Sequence, residues 1–356
     1  GDLAPLAHLA LALIGEGEAI HNGKRLEGEA VLKAAGCEPV VLQAKEGLAL
    51  LNGTQLSAAL AMEGYFQART LLNTAITAGA LSVEALSGSY SPFDARLHKA
   101  RNMPGQIKVA EAFRRLLTGS DIHNDHAQCE RVQDPYALRC MPQVYGAVWD
   151  TLDHVENILT HELNSVSDNP LIFDDTVISG GNFHAEPLGF LADFMAVAVA
   201  ELGSMSERRT DLLVRQVNPK LPLFLTATPG VESGFMIAHV TAAALASENK
   251  TLAHPASVDS IPTSAGQEDH VSMAPWAGHK LLQITKNTAR ILAIELMAAS
   301  AGLDILKPLT TTDSLQKIHA TVREHVKPHT KDRRLDKDIA ALADQVLADS
   351  RVFGQS

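Results

Sequence analysis

The sequence predicts a mainly α protein built on a long central helical bundle, with few short strands. Three observations carry this: apolar residues recur every three or four positions over long stretches, several of those stretches are apolar round most of their circumference, and strand signals are scarce. Over 144–165, Trp149, Leu152, Leu159 and Leu163, with Val155 between them, mark an amphipathic helix. From Leu188 to Arg208 the apolar residues Phe190, Phe194, Val197 and Leu202 leave little polar face. Met236–Leu252 reads MIAHVTAAALASENKTL, and His279–Leu303 predicts another long helix; small Ala side chains let such helices approach closely. At the start, Asp2 and Pro5 suit a helix beginning ahead of Leu9, Leu13 and Ile14. The strand signals are PVVL at 39–42 and a hairpin pattern in LIFDDTVISGG at 171–181.

The 356 residues show no Ser/Gly linker, charge block, low-complexity tract or solenoid repeat, so they read as one continuous unit. A net charge of −11 argues against nucleic acid and against anionic membranes as partners. No uninterrupted apolar run approaches the roughly 18 residues a bilayer requires. Three cysteines, Cys37, Cys129 and Cys140, are an odd and small number for this length, which predicts a reduced, cytoplasmic protein rather than a disulfide scaffold. Helices this apolar in an acidic chain imply burial between subunits, hence a homo-oligomer. His123, His126 and Cys129 have spacings open to a metal, but no second Cys/His pair follows, and no metal is expected. The glycines of GEGEAIHNG lack a phosphate-loop context, and there is no G-x-S-x-G elbow.

Four polar stretches interrupt the helices. In LLNGTQ, Asn52 precedes Gly53 and Thr54; the pair Asn-Gly serves equally as a turn and as a way to present an amide donor to a carbonyl oxygen. In RVQDPYALRCMPQ, Gln133, Tyr136 and Arg139 lie three apart and share a face if the chain is helical after Pro135. The phenol can relay a proton and the guanidinium can grip a carboxylate at two points, although a solvated helix start would use the same residues. In SGGNFHAEP, paired glycines lead to Asn182, Phe183 and His184, as a hairpin tip or as a close backbone approach to a ligand with an aromatic wall. In SIPTSAGQEDHVSM, Gln267, Glu268, Asp269 and His270 are acid–base candidates or a solvated cap.

Together, GDLAPLAH, LLNGT, VQDPYALRCMPQV, SDNPL, SGGNFHAEP and QEDHVSM resemble the aromatic amino-acid ammonia-lyases, in order and over essentially the entire chain. The resemblance implies the helical-bundle fold of the ammonia-lyase and fumarase-like type, a homotetramer, and non-oxidative elimination of ammonia from a small amino-acid substrate. It implies a prosthetic group rather than a dissociable cofactor: 4-methylidene-imidazol-5-one, formed autocatalytically from Ala-Ser-Gly. Carried over position by position, Asn52 bonds the imidazolone oxygen, and Tyr136 stands beside the group and handles protons. Arg139 clamps the substrate carboxylate, with Gln133 as a nearby polar contact. Phe183 shields the electrophile, Glu268 and Met236 line the imidazole end of the pocket, and Gly1 is the third residue of the cyclising tripeptide. A carboxylate such as Glu268 suits a ring with N–H donors and would be costly against phenyl. The implied reaction is therefore histidine to trans-urocanate and ammonia.

Only Gly-Asp-Leu-Ala-Pro-Leu of the family's site motif is present, and no Ala-Ser-Gly occurs elsewhere; the first Met is Met62. On that reading 1–356 is the C-terminal part of such an enzyme, with central bundle and capping helices. An N-terminal segment would act as its partner and carry the β-proton base. The other readings are a tyrosine or phenylalanine ammonia-lyase or aminomutase on the same scaffold, or a catalytically silent oligomerising subunit. A fumarase-like lyase is disfavoured because its Gly-Ser-Ser loop leading to Met-Pro-x-Lys has no counterpart here.

Overall fold

The computed structural model describes residues 1–125 and 132–348; His126 and Cys129 lie outside the described residues. In chain order the elements are α1 (Leu3–Leu13), β1 (Glu18–His21), β2 (Lys24–Glu27), α2 (Gly28–Ala35), α3 (Glu46–Leu51) and the long α4 (Gln55–Ala85). There follow α5 (Ala95–Arg101), α6 (Pro104–Leu117), α7 (Asp121–Asp125), α8 (Tyr136–Arg139), α9 (Met141–Glu162), β3 (Leu171–Phe173) and β4 (Thr176–Ile178). The chain ends through α10 (Glu186–Val214), α11 (Met236–Leu252), α12 (Ala274–Ile305), α13 (Asp313–His325) and α14 (Asp336–Ala348). The fold is mainly α, as the periodicity predicts.

Two compact units emerge. One comprises Gly1–Glu63, Glu156–Asp193 and Pro255–His279; the other comprises Gly64–Val155, Phe194–His254 and Lys280–Ser356. The second holds the bundle core. In α12, Ala289, Ile291, Leu292, Ala293, Ile294, Leu296 and Ala298 are all fully buried, which places every side of the helix against protein. In α4, Ala68, Leu71, Ala75, Ala78 and Leu81 are equally buried. Glycine sets the closest approach between α6 and α9. A Cβ on Gly105 would stand 2.3 Å from the carbonyl oxygen of Gly146, and one on Gly146 would stand 2.4 Å from the backbone of Gln106. Neither position admits a side chain.

The predicted helices at 236–252 and 279–303 are present, the latter as the middle of α12. The 144–165 helix ends earlier, at Glu162, and Leu163 is exposed. α10 is long and apolar enough by composition to cross a membrane, but most of its apolar window is buried inside the protein, as in a bundle core. Its burial is incomplete: Phe194 and Val197 are about half exposed, as are Ile237 and Val240 on α11.

The hairpin at 171–181 forms, as β3–β4 around Asp174 and Asp175. The strand expected from PVVL at 39–42 does not. That segment is irregular and Val41 is largely exposed; the Val40 N–H bonds the carbonyl of Leu13, at the end of a helix, so no ladder starts. The other hairpin is β1–β2, turned by Asn22-Gly23 with φ of 49° and 76° at the two positions. Positive φ at both central residues is what a right-twisted two-residue hairpin requires, and Asn-Gly satisfies it.

Candidate active site

Gly1, Asn52, Phe183 and Glu268 all lie in the first unit. Asp2, buried and at the entry to α1, accepts from the Ser57 N–H at 2.9 Å and from the Ser57 hydroxyl at 2.6 Å. This ties the backbone next to Gly1 to the first turn of α4. Gly1 itself is exposed, and a Cβ there would meet nothing within 4 Å. Asn52 ends α3 and leads into α4 through Gly53 and Thr54; Asn52 and Thr54 are both buried. The Asn52 amide donates to the carbonyl of Asn169 at 2.7 Å and, more weakly, to Oδ1 of Asp168 at 3.3 Å. Lys45 pairs with the other Asp168 oxygen and, with the backbone N–H of Asn169, holds that carboxyl below its ordinary pKa.

Asn169 then connects this loop to the next. Its Oδ1 accepts from the Gly180 N–H at 2.6 Å, and Asn182 donates to the Val166 carbonyl at 3.2 Å. Phe183 follows, partly exposed. His184 stacks on His270, with ring centroids 5.5 Å apart and planes within 3° of parallel. Two residues before His270, the Glu268 carboxylate accepts from the Thr263 hydroxyl at 2.8 Å, and its carbonyl accepts from the Thr263 N–H at 2.9 Å. The intervening turn runs through left-handed backbone at Ser264, Ala265 and Gly266, so Glu268 sits on a tight, exposed loop.

The second unit gathers Gln133, Tyr136 and Arg139. Pro135 starts α8, a single turn carrying Tyr136 and Arg139. The Arg139 guanidinium lies 4.6 Å from the centre of the Tyr136 ring, a cation–π distance. Its Nε donates to the Asp134 carbonyl at 2.9 Å, and Nη2 donates to Oε1 of Gln133 at 3.0 Å. Gln133 therefore joins from the irregular segment before Pro135, by a hydrogen bond rather than along a helical face. Arg139 and Gln133 line a cavity of about 920 Å³, together with Ser89, His123, Asp134 and Cys140. Met236, the first residue of α11, is half-buried. It follows the Ser233–Gly234 turn, whose N–H groups donate to Asp332.

Beneath α8 lies a buried ion pair. Arg209 of α10 bonds Glu295 of α12 through Nε at 2.5 Å and Nη2 at 2.8 Å, both side chains fully excluded from solvent. Arg209 also reaches the Ala137 carbonyl at 3.4 Å, and Ser82 donates to Glu295 at 2.6 Å. Burial opposes the Arg209 charge, but the Glu295 carboxylate outweighs it and leaves the guanidinium pKa raised.

A family model of aromatic amino acid lyases matches residues 1–324. The histidine ammonia-lyase of Burkholderia ambifaria is 55% identical over all of this chain, which spans 70% of that protein. That of Idiomarina loihiensis is 55% identical over 97% of this chain and 68% of its own length. Among solved structures, histidine ammonia-lyase from Trypanosoma cruzi superposes with a TM-score of 0.90 at 45% identity, over 97% of this chain and 66% of that one. Tyrosine aminomutase from Streptomyces globisporus gives 0.91 at 37% identity, over 99% and 70%. The chain belongs to the aromatic amino acid lyase family. By that membership it is a carbon–nitrogen lyase, and its likeness to the histidine ammonia-lyases extends along its whole length. Members of this family carry the methylidene-imidazolone group.

Sequence reasoning did not single out Asp2 with Ser57, Asn169, or Arg209 with Glu295. SDNPL and GDLAPL contain the first two acceptors, but a motif does not reveal a partner more than fifty residues away. Arg209 sits in ERRTD, and its partner Glu295 lies 86 positions further along the chain.

Proposed function

We propose that this chain carries the histidine ammonia-lyase reaction, the non-oxidative elimination of ammonia from L-histidine to give trans-urocanate. The observation that carries the reading is the Gln133–Tyr136–Arg139 cluster: a guanidinium fixed by two acceptors and an aromatic ring, at the edge of a cavity sized for a small molecule. The full-length likeness to histidine ammonia-lyases supports the choice of substrate.

In this reading Arg139 holds the substrate carboxylate and Gln133 sets the orientation of the guanidinium. The Tyr136 phenol, beside that guanidinium and open to solvent, handles the proton at the amino group. By their match to the family's motifs, Glu268 takes the role of acceptor for an imidazole N–H, Met236 that of lining the imidazole end, and Phe183 that of shielding the reacting carbon from water. One C–N bond and one C–H bond of the substrate break; nitrogen leaves as ammonia with the electron pair of the C–N bond, and the β-carbon proton goes to a base.

The residues of the first unit fit the family's prosthetic group. Gly1 is exposed, Asp2 fixes the backbone beside it, and the 3.3 Å contact of Asn52 with Asp168 is weak enough to be exchanged for another acceptor oxygen. When bound, the group supplies an electrophile that activates a poor leaving group. Gly1 would contribute its third residue, and Asn52 would donate to its oxygen.

The reading extends to a cytoplasmic homotetramer. The half-exposed apolar residues Phe194, Val197, Ile237 and Val240 and the free thiols of Cys37 and Cys140 support it.

The test is Glu268→Gln in the full-length enzyme. It lowers kcat/KM for histidine about tenfold or more, because a neutral amide is a weaker acceptor for a ring N–H. Unchanged histidine turnover would move the substrate assignment to a phenyl or phenol side chain.

A further inference from the structure

Beside the loops of Phe183 and Glu268, three side chains point ligand atoms at one another without hydrogen bonds between them. His184, Glu186 and His270 each offer one donor atom, and these lie within 4.8 Å of each other. Nδ1 of His184 is 4.0 Å from Oε2 of Glu186, and Nε2 of His270 is 3.9 Å from the same oxygen. Both distances are too long for a hydrogen bond. That Glu186 oxygen is buried with no hydrogen-bond partner. A buried carboxylate oxygen left unbonded between two imidazoles is an uncompensated cost unless something sits among them.

We propose that His184, Glu186 and His270 bind a divalent transition cation of the zinc class. Two imidazoles and one carboxylate form a borderline donor set, suited to Zn²⁺, Co²⁺ or Ni²⁺ and poorly suited to Mg²⁺ or Ca²⁺, which prefer oxygen. Ligands around a tetrahedral ion at bond lengths of about 2.0–2.1 Å stand roughly 3.3 Å apart. The three atoms therefore reach coordination by drawing in by less than about 1 Å, with the stacked rings tilting toward the ion. Glu186 opens α10, a rigid helix, and both histidines lie on loops, so the loops supply the adjustment. Three protein ligands leave a fourth position for water. Coordination would staple the Phe183 loop to the Glu268 loop through residues one and two positions away from each.

This proposal stands apart from the lyase reading, because its test measures metal rather than turnover. The full-length enzyme, stripped with a chelator and dialysed, is titrated with Co²⁺ while the visible absorption of the bound ion is followed. The expected result is saturation at one ion per chain, competed away by Zn²⁺ and not by Mg²⁺. His270→Gln changes an exposed side chain and keeps the fold, and Glu186→Gln removes the central ligand; each weakens binding by about tenfold or more. No saturable Co²⁺ absorption in the wild type, or undiminished affinity in either variant at unchanged helix content, would overturn the assignment.

Discussion

Asp2 and Ser57 are bonded twice, backbone and hydroxyl, at the point where α4 begins. The carboxylate accepts an N–H that the first turn of a helix cannot satisfy internally, and in doing so it fixes the chain next to Gly1. Asp2→Ala leaves that buried N–H without a partner and is expected to lower stability by about 1–3 kcal/mol. Ser57→Ala removes only the hydroxyl bond and should do less. Urea denaturation midpoints of the two variants read the difference directly.

Arg209 and Glu295 form a pair with no access to water. Removing one partner strands a buried charge, so Arg209→Met is expected to destabilise by about 3–5 kcal/mol. Arg209→Met combined with Glu295→Met should recover part of that loss, since replacing both charges with apolar groups avoids the stranded ion. A double-mutant cycle on thermal unfolding measures the coupling.

Arg139 makes separate bonds through Nε and Nη2, and Lys cannot reproduce that fork. If Arg139 clamps a carboxylate, Arg139→Lys raises KM for histidine roughly tenfold to a hundredfold, the equivalent of about 1.5–3 kcal/mol of charge-assisted bonding. Steady-state kinetics at saturating substrate separate this from a change in kcat.

The depressed pKa of Asp168, caused first by the Lys45 bond, has a defined pH consequence. A carboxyl whose folded pKa lies below its unfolded one contributes stability that is full above the unfolded value and is lost as pH falls through the folded value. The Asn52 loop is therefore expected to loosen below about pH 4. Asp168→Asn should flatten the pH dependence of hydrogen exchange in residues 45–54 below about pH 4.

Phe194 and Val197 leave apolar surface exposed on α10, although much of that helix is buried. If that surface is a subunit interface, Phe194→Asp shifts the protein to smaller species in analytical ultracentrifugation. An unchanged sedimentation coefficient would place the interface elsewhere.

Long helices were legible because burial imposes a period on the sequence, and α11 shows it most clearly, with the predicted span of 236–252 observed in full. α4 was not singled out. Its buried face mixes Ala with Thr70, Thr74 and Thr77, and such small polar residues mask the apolar stripe although they bond back to carbonyls of the preceding turn or pack in the core. PVVL misled because β-branched residues describe a half-buried surface, and at 39–42 no partner strand lies beside them. The Asn22-Gly23 turn carried a stronger signal than the apolar runs did. In the candidate site, Gln133, Tyr136 and Arg139 were readable as neighbours because they are close in sequence. The Asn52–Asn169 bond was not readable, because it joins residues 117 positions apart.

Histidine elimination is measured most directly by incubating the full-length enzyme with L-histidine and following the ultraviolet absorbance of urocanate together with released ammonia. Both products are expected in equal amounts, with Arg139→Lys suppressing their formation at low substrate. No product from histidine, with cinnamate or coumarate formed from phenylalanine or tyrosine instead, would contradict the histidine assignment.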